Sequence, residues 1–171
     1  LRYQGKKVKY LCYTTQYYTT CQIQQSLLIK KFEDELNKMV KSRAGECSSL
    51  MKEYYEDRGY DVSVARDPET RVELILDKLR ISSKIEARIS KDDNTQTYRE
   101  FNFEMPSKMY SLLLLSVNII EYEATYGDSA TDLYTFYYPN MQVEKTQLLD
   151  GSTVYKVRDL TTNEQFVFAS R

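Results

Sequence analysis

Three carboxylates, Glu121, Glu123 and Asp128, stand in one short stretch among Tyr122, Tyr126, Asp132 and Tyr134. Carboxylates set beside tyrosines in a dry environment are what a glycosidase uses for its acid and its nucleophile or base. A hydrolase of surface polymers is therefore one reading of the chain. Against it, Glu121 and Glu123 are two positions apart at a predicted helix end, where side chains do not face one another. A solvated helix terminus accounts for them without chemistry. Asp92-Asp93-Asn94 offers oxygen ligands for calcium, but it lacks the glycine and the later bidentate glutamate of a calcium-binding loop, so a hairpin turn is the plainer reading. Ser48-Ser49, Ser82-Ser83 and Ser107 have no histidine to act as a base, because the chain contains none. With only 5 glycines and no Gly-rich phosphate loop, nucleotide binding has no site. No cofactor and no metal centre is expected.

Cys12, Cys21 and Cys47 lack zinc-ligand spacing and have no histidine to work with. Cys21 and Cys47 would lie ~39 Å apart on a straight helix at about 1.5 Å per residue, whereas bridged α-carbons lie within about 7 Å. Cys12 reaches at most ~31 Å beyond Cys21 at about 3.4 Å per residue, so Cys12–Cys47 is also disfavoured. A Cys12–Cys21 disulfide remains, leaving Cys47 as a buried free thiol on a helix's apolar stripe. The alternative is three reduced thiols in a cytosolic protein.

The elements that must position these residues follow from hydrophobic periodicity. From Gln22 to Arg58 the apolar residues Ile23, Leu27, Leu28, Phe32, Leu36, Met39, Val40, Ala44, Cys47, Leu50, Met51 and Tyr54 step by three or four, the stripe of a long helix over 22–58. Such a helix projects or bends near Gly45 and closes at Gly59. Residues 1–21, rich in Tyr and Thr, read as an extended segment before it. From Tyr60 to Met105 alternation replaces the helical period and four strands fit, with turns at Asp67-Pro68-Glu69 and Lys91-Asp92-Asp93-Asn94. Pro106 and Ser107 open a second, more buried helix over 107–126, ended by Gly127. Residues 128–140 fit a short helix or a loop. Three strands follow, around Asp150-Gly151 and Thr161–Asn163 turns. The expected fold is α+β, a single domain over 1–171: a long N-terminal helix and a second buried helix packed on an antiparallel sheet of six to seven strands.

The charges, 24 basic against 25 acidic, cancel and are interspersed, which removes nucleic acid as a partner. Histidine and tryptophan are absent while tyrosine reaches 16. Tyrosine suits protein interfaces and carbohydrate contacts, and it also favours strands, the plainer explanation. No run approaches the ~20 apolar residues that span a bilayer. The chain opens on Leu1 in a basic segment, Arg2, Lys6, Lys7 and Lys9, so a trimmed signal or anchor is compatible with it.

Tyr10-Leu11-Cys12-Tyr13-Thr14, Tyr17-Tyr18 with Cys21, Asp150-Gly151-Ser152-Thr153-Val154-Tyr155 and Phe166-Val167-Phe168-Ala169-Ser170-Arg171 together resemble a group of uncharacterised archaeal proteins that are predicted to be exported and tethered by an amino-terminal membrane segment. The resemblance implies an extracytoplasmic location and a cysteine bridge near the membrane-proximal end, and it brings no activity with it. The leading expectation is a non-enzymatic surface domain that works by protein or glycan interaction, or by self-association as a subunit of a surface assembly. The membrane would be reached only through a segment outside this chain. The alternatives are the hydrolase above and small-ligand binding between helix and sheet.

Overall fold

The computed structural model describes residues 1–65 and 68–171. Within the span read above as one α+β domain there are two compact units: Leu1–Ile29, Leu76–Lys78 and Pro106–Arg171 form one, Lys30–Ile75 and Leu79–Met105 the other.

The first unit begins with a hairpin of β1 (Arg2–Tyr3) and β2 (Lys6–Lys7) and continues into β3 (Tyr10–Tyr13) and β4 (Gln22–Ile23). Its later part holds α2 (Met109–Tyr126), α3 (Thr131–Tyr137), β9 (Met141–Gln147), β10 (Thr153–Asp159) and β11 (Gln165–Ser170). Five strands form one sheet in the order β4-β3-β11-β10-β9. The β9-β10-β11 meander is antiparallel, as the Asp-Gly turn requires, with Gly151 at φ 81°. The β3–β11 pair is parallel.

Alternation decides which sheet face is covered. Opposite pairs Tyr155↔Phe168 and Val157↔Phe166 put aromatic and β-branched side chains on one face, and Tyr155, Val157 and Phe168 are fully buried. The helix α2 packs on β3, β10 and β11 through Leu112, Leu113, Leu115, Ile119 and Ile120, none more than 4% exposed. It starts two residues later than the 107 expected, because Pro106 is the last residue of the preceding strand. At its start the Lys108 amide donates to the Glu164 carboxylate, which comes from the β10–β11 turn. The helix ends where Gly127, at φ 79°, donates to the Glu123 carbonyl at 3.0 Å.

The second unit contains most of α1 (Leu28–Glu56), then β5 (Asp61–Val64), β6 (Glu69–Ile75), β7 (Lys78–Lys91) and β8 (Asn94–Pro106), apart from the few residues at strand ends that belong to the first. All three other strands pair with β7. Val62, Thr70, Val72, Leu74, Ile85, Ala87 and Ile89 are buried. Against this sheet, α1 sends Asn37 to accept from the Thr70 hydroxyl at 3.0 Å and Glu33 to accept from the Leu74 amide at 2.9 Å. The helix runs unbroken through Gly45 and closes where Gly59, at φ 75°, donates to the Glu56 carbonyl at 2.9 Å.

Several expectations are corrected. The long helix begins at Leu28 rather than 22, since Gln22 and Ile23 pair with Tyr13 and Cys12 as a strand. The strands divide into sheets of five and four with a separate two-stranded hairpin: α2 and α3 pack on the five-stranded sheet, and α1 bonds to β6 of the other. The strand β8 is exposed along its whole length, so Tyr98, Phe101, Phe103 and Met105 form no covered face. Cys47 is exposed. The half-buried row on α1 runs Phe32, Leu36, Val40, Ala44, Ser48, Met51, Tyr55, and it leaves Met39, Cys47, Leu50 and Tyr54 beside it in solvent. Strand preference accounts for few of the 16 tyrosines: only Tyr3, Tyr10, Tyr13, Tyr98 and Tyr155 lie in strands, and of the others Tyr17, Tyr18, Tyr54, Tyr122, Tyr126, Tyr137 and Tyr138 are exposed. The turn at Asp67-Pro68-Glu69 falls at Asp67 outside the described residues.

Candidate functional site

Glu123 lies in the last turn of α2 and is 6% exposed. Its position follows the step Leu112, Ser116, Ile119, Glu123, which is the buried face of the helix. That face meets the sheet at Tyr155 and Ser170. The phenol of Tyr155 donates to Oε1 of Glu123, and the Ser170 hydroxyl donates to Oε2 at 2.9 Å. Tyr155 is itself pinned, its ring stacked on Phe168 at a centroid distance of 5.3 Å. Burial, reinforced by the Glu123 carboxylate, pushes the Tyr155 phenol far above its ordinary value.

Strand register builds the floor. Thr153 pairs with Gln147 on one side and Ser170 on the other, so three polar side chains form a row across β9, β10 and β11. A bulge between Ala169 and Ser170 accompanies the change of register against β3. The wall is the loop from Thr14 to Thr20, closed at its base by a Cys12–Cys21 disulfide with α-carbons 5.3 Å apart. Within this loop the Gln16 amide donates to Thr14 Oγ1 at 3.1 Å, and the Thr14 and Thr19 hydroxyls meet at 3.2 Å. The start of the loop is tied to Arg171, the residue after β11, by the Thr14 amide on the Arg171 carbonyl at 2.7 Å, and the Arg171 amide in turn donates to the Cys12 carbonyl of β3 at 3.1 Å.

Together these groups line a half-open cavity of about 220 Å³, formed by Thr14, Thr15, Gln16, Tyr17, Thr19, Thr20, Cys21, Glu123, Gly127, Gln147, Gly151, Thr153, Ser170 and Arg171. Hydroxyls dominate it, with a carboxylate at its base. Tyr17 lies over Gly151, where a built β-carbon would stand 3.1 Å from the ring, so a side chain there would displace it. The Arg171 guanidinium donates to the Tyr17 hydroxyl at 2.7 Å and lies 5.3 Å from its ring centroid.

The three predicted carboxylates are not brought together. Glu121 is exposed, and Asp128 is exposed and ion-paired with Lys145, whose ammonium also reaches the Ser129 carbonyl. Only Glu123 of the three lines the cavity. Its reading as part of a solvated helix end is corrected: the helix presents it to the sheet. Among the described residues no group of three or more His, Cys, Asp or Glu is placed to hold a metal ion, and Asp92, at φ 55°, sits in the β7–β8 turn.

Two further depressions flank other elements. One of about 310 Å³ runs beside α2 at Ser111, Leu114, Leu115 and Asn118 towards Tyr137 and Tyr138. The buried Asp159 also borders it, but that carboxylate accepts from the amides and hydroxyls of Thr161 and Thr162 in its own turn. Another of about 390 Å³, in the second unit, lies among Tyr55, Tyr60, Tyr98, Asn94 and Gln96, and its charged members, Lys91 and Asp92, are exposed. No helix among the described residues is long and apolar enough to cross a membrane. The chain matches no protein-family profile, no curated protein and no solved structure.

Proposed function

We propose that this is a non-enzymatic extracytoplasmic domain that binds a small polar ligand of the glycan class in the cavity over Glu123. The observation that carries the reading is the pairing of a disulfide-closed loop with a hydroxyl-lined cavity: Thr14, Thr19, Thr153 and Ser170 offer donors and acceptors to a polyhydroxylated ligand, and Tyr17 offers a flat apolar wall. The bridge holds that wall in place before any ligand arrives, which lowers the cost of binding. It also suits an oxidising compartment. A hydrolytic reading is less well supported, because Glu123 is the one carboxylate among the lining residues and hydrolysis of a glycosidic bond uses two.

Calorimetric titration with neutral and charged monosaccharides tests the proposal. Saturable binding that falls at least about tenfold in Tyr17→Ala supports it, as expected when a contact worth more than about 1.4 kcal/mol is lost. Binding of no member of the series, or binding indifferent to Tyr17→Ala and to reduction of the bridge, overturns it. Release of new reducing ends from an oligosaccharide, abolished in Glu123→Gln, would make the protein a hydrolase instead.

A further inference from the structure

We infer that the ligand of this cavity is a polyhydroxylated compound bearing one primary ammonium group, an amino sugar being the simplest of the class, with Glu123 as the counter-ion. The inference rests on the binding reading above and gives it a substrate class.

A carboxylate has about four lone-pair sites, and the protein fills only part of them here. Tyr155 occupies one at Oε1 and Ser170 one at Oε2, both from neutral hydroxyls. Among the described residues no lysine or arginine is ion-paired with Glu123. The ammonium of Lys145 is engaged by Asp128 and the Ser129 carbonyl, and the guanidinium of Arg171 by the Tyr17 hydroxyl. A buried carboxylate held by neutral donors alone is costly, and a cation arriving from the cavity side relieves that cost. Because Glu123 lines the cavity, its free acceptor positions are reachable from there.

The remaining lining narrows the class. The Thr14, Thr19 and Thr153 hydroxyls and the Gln147 amide match ligand hydroxyls rather than a second charge. Arg171 lines the same cavity and its guanidinium repels any ammonium there, so only a cation paired directly with Glu123 is favoured and a polyamine, with further unpaired ammonium groups, is not. At about 220 Å³ the cavity is smaller than the ~300–1,000 Å³ typical of sites for drug-sized ligands, so it takes one sugar-sized unit.

The test is calorimetry on the intact chain at pH 6 with glucosamine, glucose, N-acetylglucosamine and a chitosan tetramer. Glucosamine is expected to bind at least about tenfold more tightly than glucose or N-acetylglucosamine, as a charge-assisted hydrogen bond exceeds a neutral one. In Glu123→Gln that preference is expected to vanish. If the variant does not fold, the wild-type series alone still separates the outcomes. A tetramer that binds at least as well as the monomer assigns the site to an end or segment of a polymer, and monomer-only binding assigns it to a free amino sugar. Equal binding of all three monosaccharides overturns the ammonium preference and leaves the binding function standing. If none binds, both fall.

Discussion

Tyr155 and Glu123, from the middle of a strand and the last turn of a helix, meet through a hydrogen bond in which the phenol donates to a carboxylate that is 6% exposed. This contact joins the covered face of the five-stranded sheet to α2 and fixes the base of the cavity. Replacing Tyr155 by Phe removes the donor and leaves an acceptor short of a partner. A loss of roughly 1–3 kcal/mol is expected in urea unfolding, more than for a surface tyrosine such as Tyr18→Phe.

The same pair sets a dependence on alkaline pH. Burial first, then the neighbouring carboxylate, raises the Tyr155 phenol above its unfolded value. Its contribution is therefore complete below about pH 10, the unfolded tyrosine value, and is lost as pH rises beyond it, since only the unfolded chain then releases the proton. The stability difference between wild type and Tyr155→Phe should be constant from about pH 7 to 9 and shrink above about pH 10. Denaturant curves across that range check it.

Asp159 gives the opposite sign at acid pH. It is 1% exposed, and although burial works to raise its carboxyl, hydrogen bonds from the amides and hydroxyls of Thr161 and Thr162 outweigh that and hold it below the usual carboxylate range. Its stabilisation is present above the unfolded value of about 4 and is lost as pH falls through the lower folded value. Asp159→Ala should cost roughly 1–3 kcal/mol at about pH 7 by leaving those donors unpaired, and the difference from wild type should shrink below about pH 4. Urea unfolding of both proteins at the two pH values reads the change.

The disulfide and the free thiol are separable. Closing the short Cys12–Cys21 loop stabilises the chain by about 2–3 kcal/mol on the chain-entropy estimate, so reduction should lower the thermal midpoint by about 5–10 °C. Native, non-reduced protein should react with iodoacetamide at Cys47 alone, because that thiol is exposed on α1. Thermal unfolding followed by circular dichroism checks the first outcome, and mass spectrometry of the labelled peptides checks the second.

Much of this architecture is legible in the sequence because it rests on local chemistry. Gly59, Gly127 and Gly151 each take the positive φ that ends a helix or turns a hairpin, and the 3.6 and 2 periodicities mark α1, α2 and the strands. What is not legible depends on pairing between distant segments. Nothing local says that Gln22 and Ile23 leave a helical pattern to pair with β3, or that β3 lies parallel to β11. The candidate site divides in the same way. The Cys12–Cys21 bridge follows from reach along the chain, whereas the row Gln147, Thr153, Ser170 exists only through strand register. Glu123 did carry a signal, its place four residues after Ile119 on the apolar face of α2, but its neighbour Glu121 and the nearby helix end point to solvent instead.

The most direct measurement is a two-dimensional amide NMR titration of the labelled protein with glucosamine. Ligand-induced shifts should concentrate at Thr14 to Cys21, Gly127, Gln147, Gly151 to Thr153 and Ser170, the residues around Glu123. Shifts centred instead on Tyr55, Tyr60 and Tyr98, or none at saturating sugar, would contradict the assignment of this cavity as the binding site.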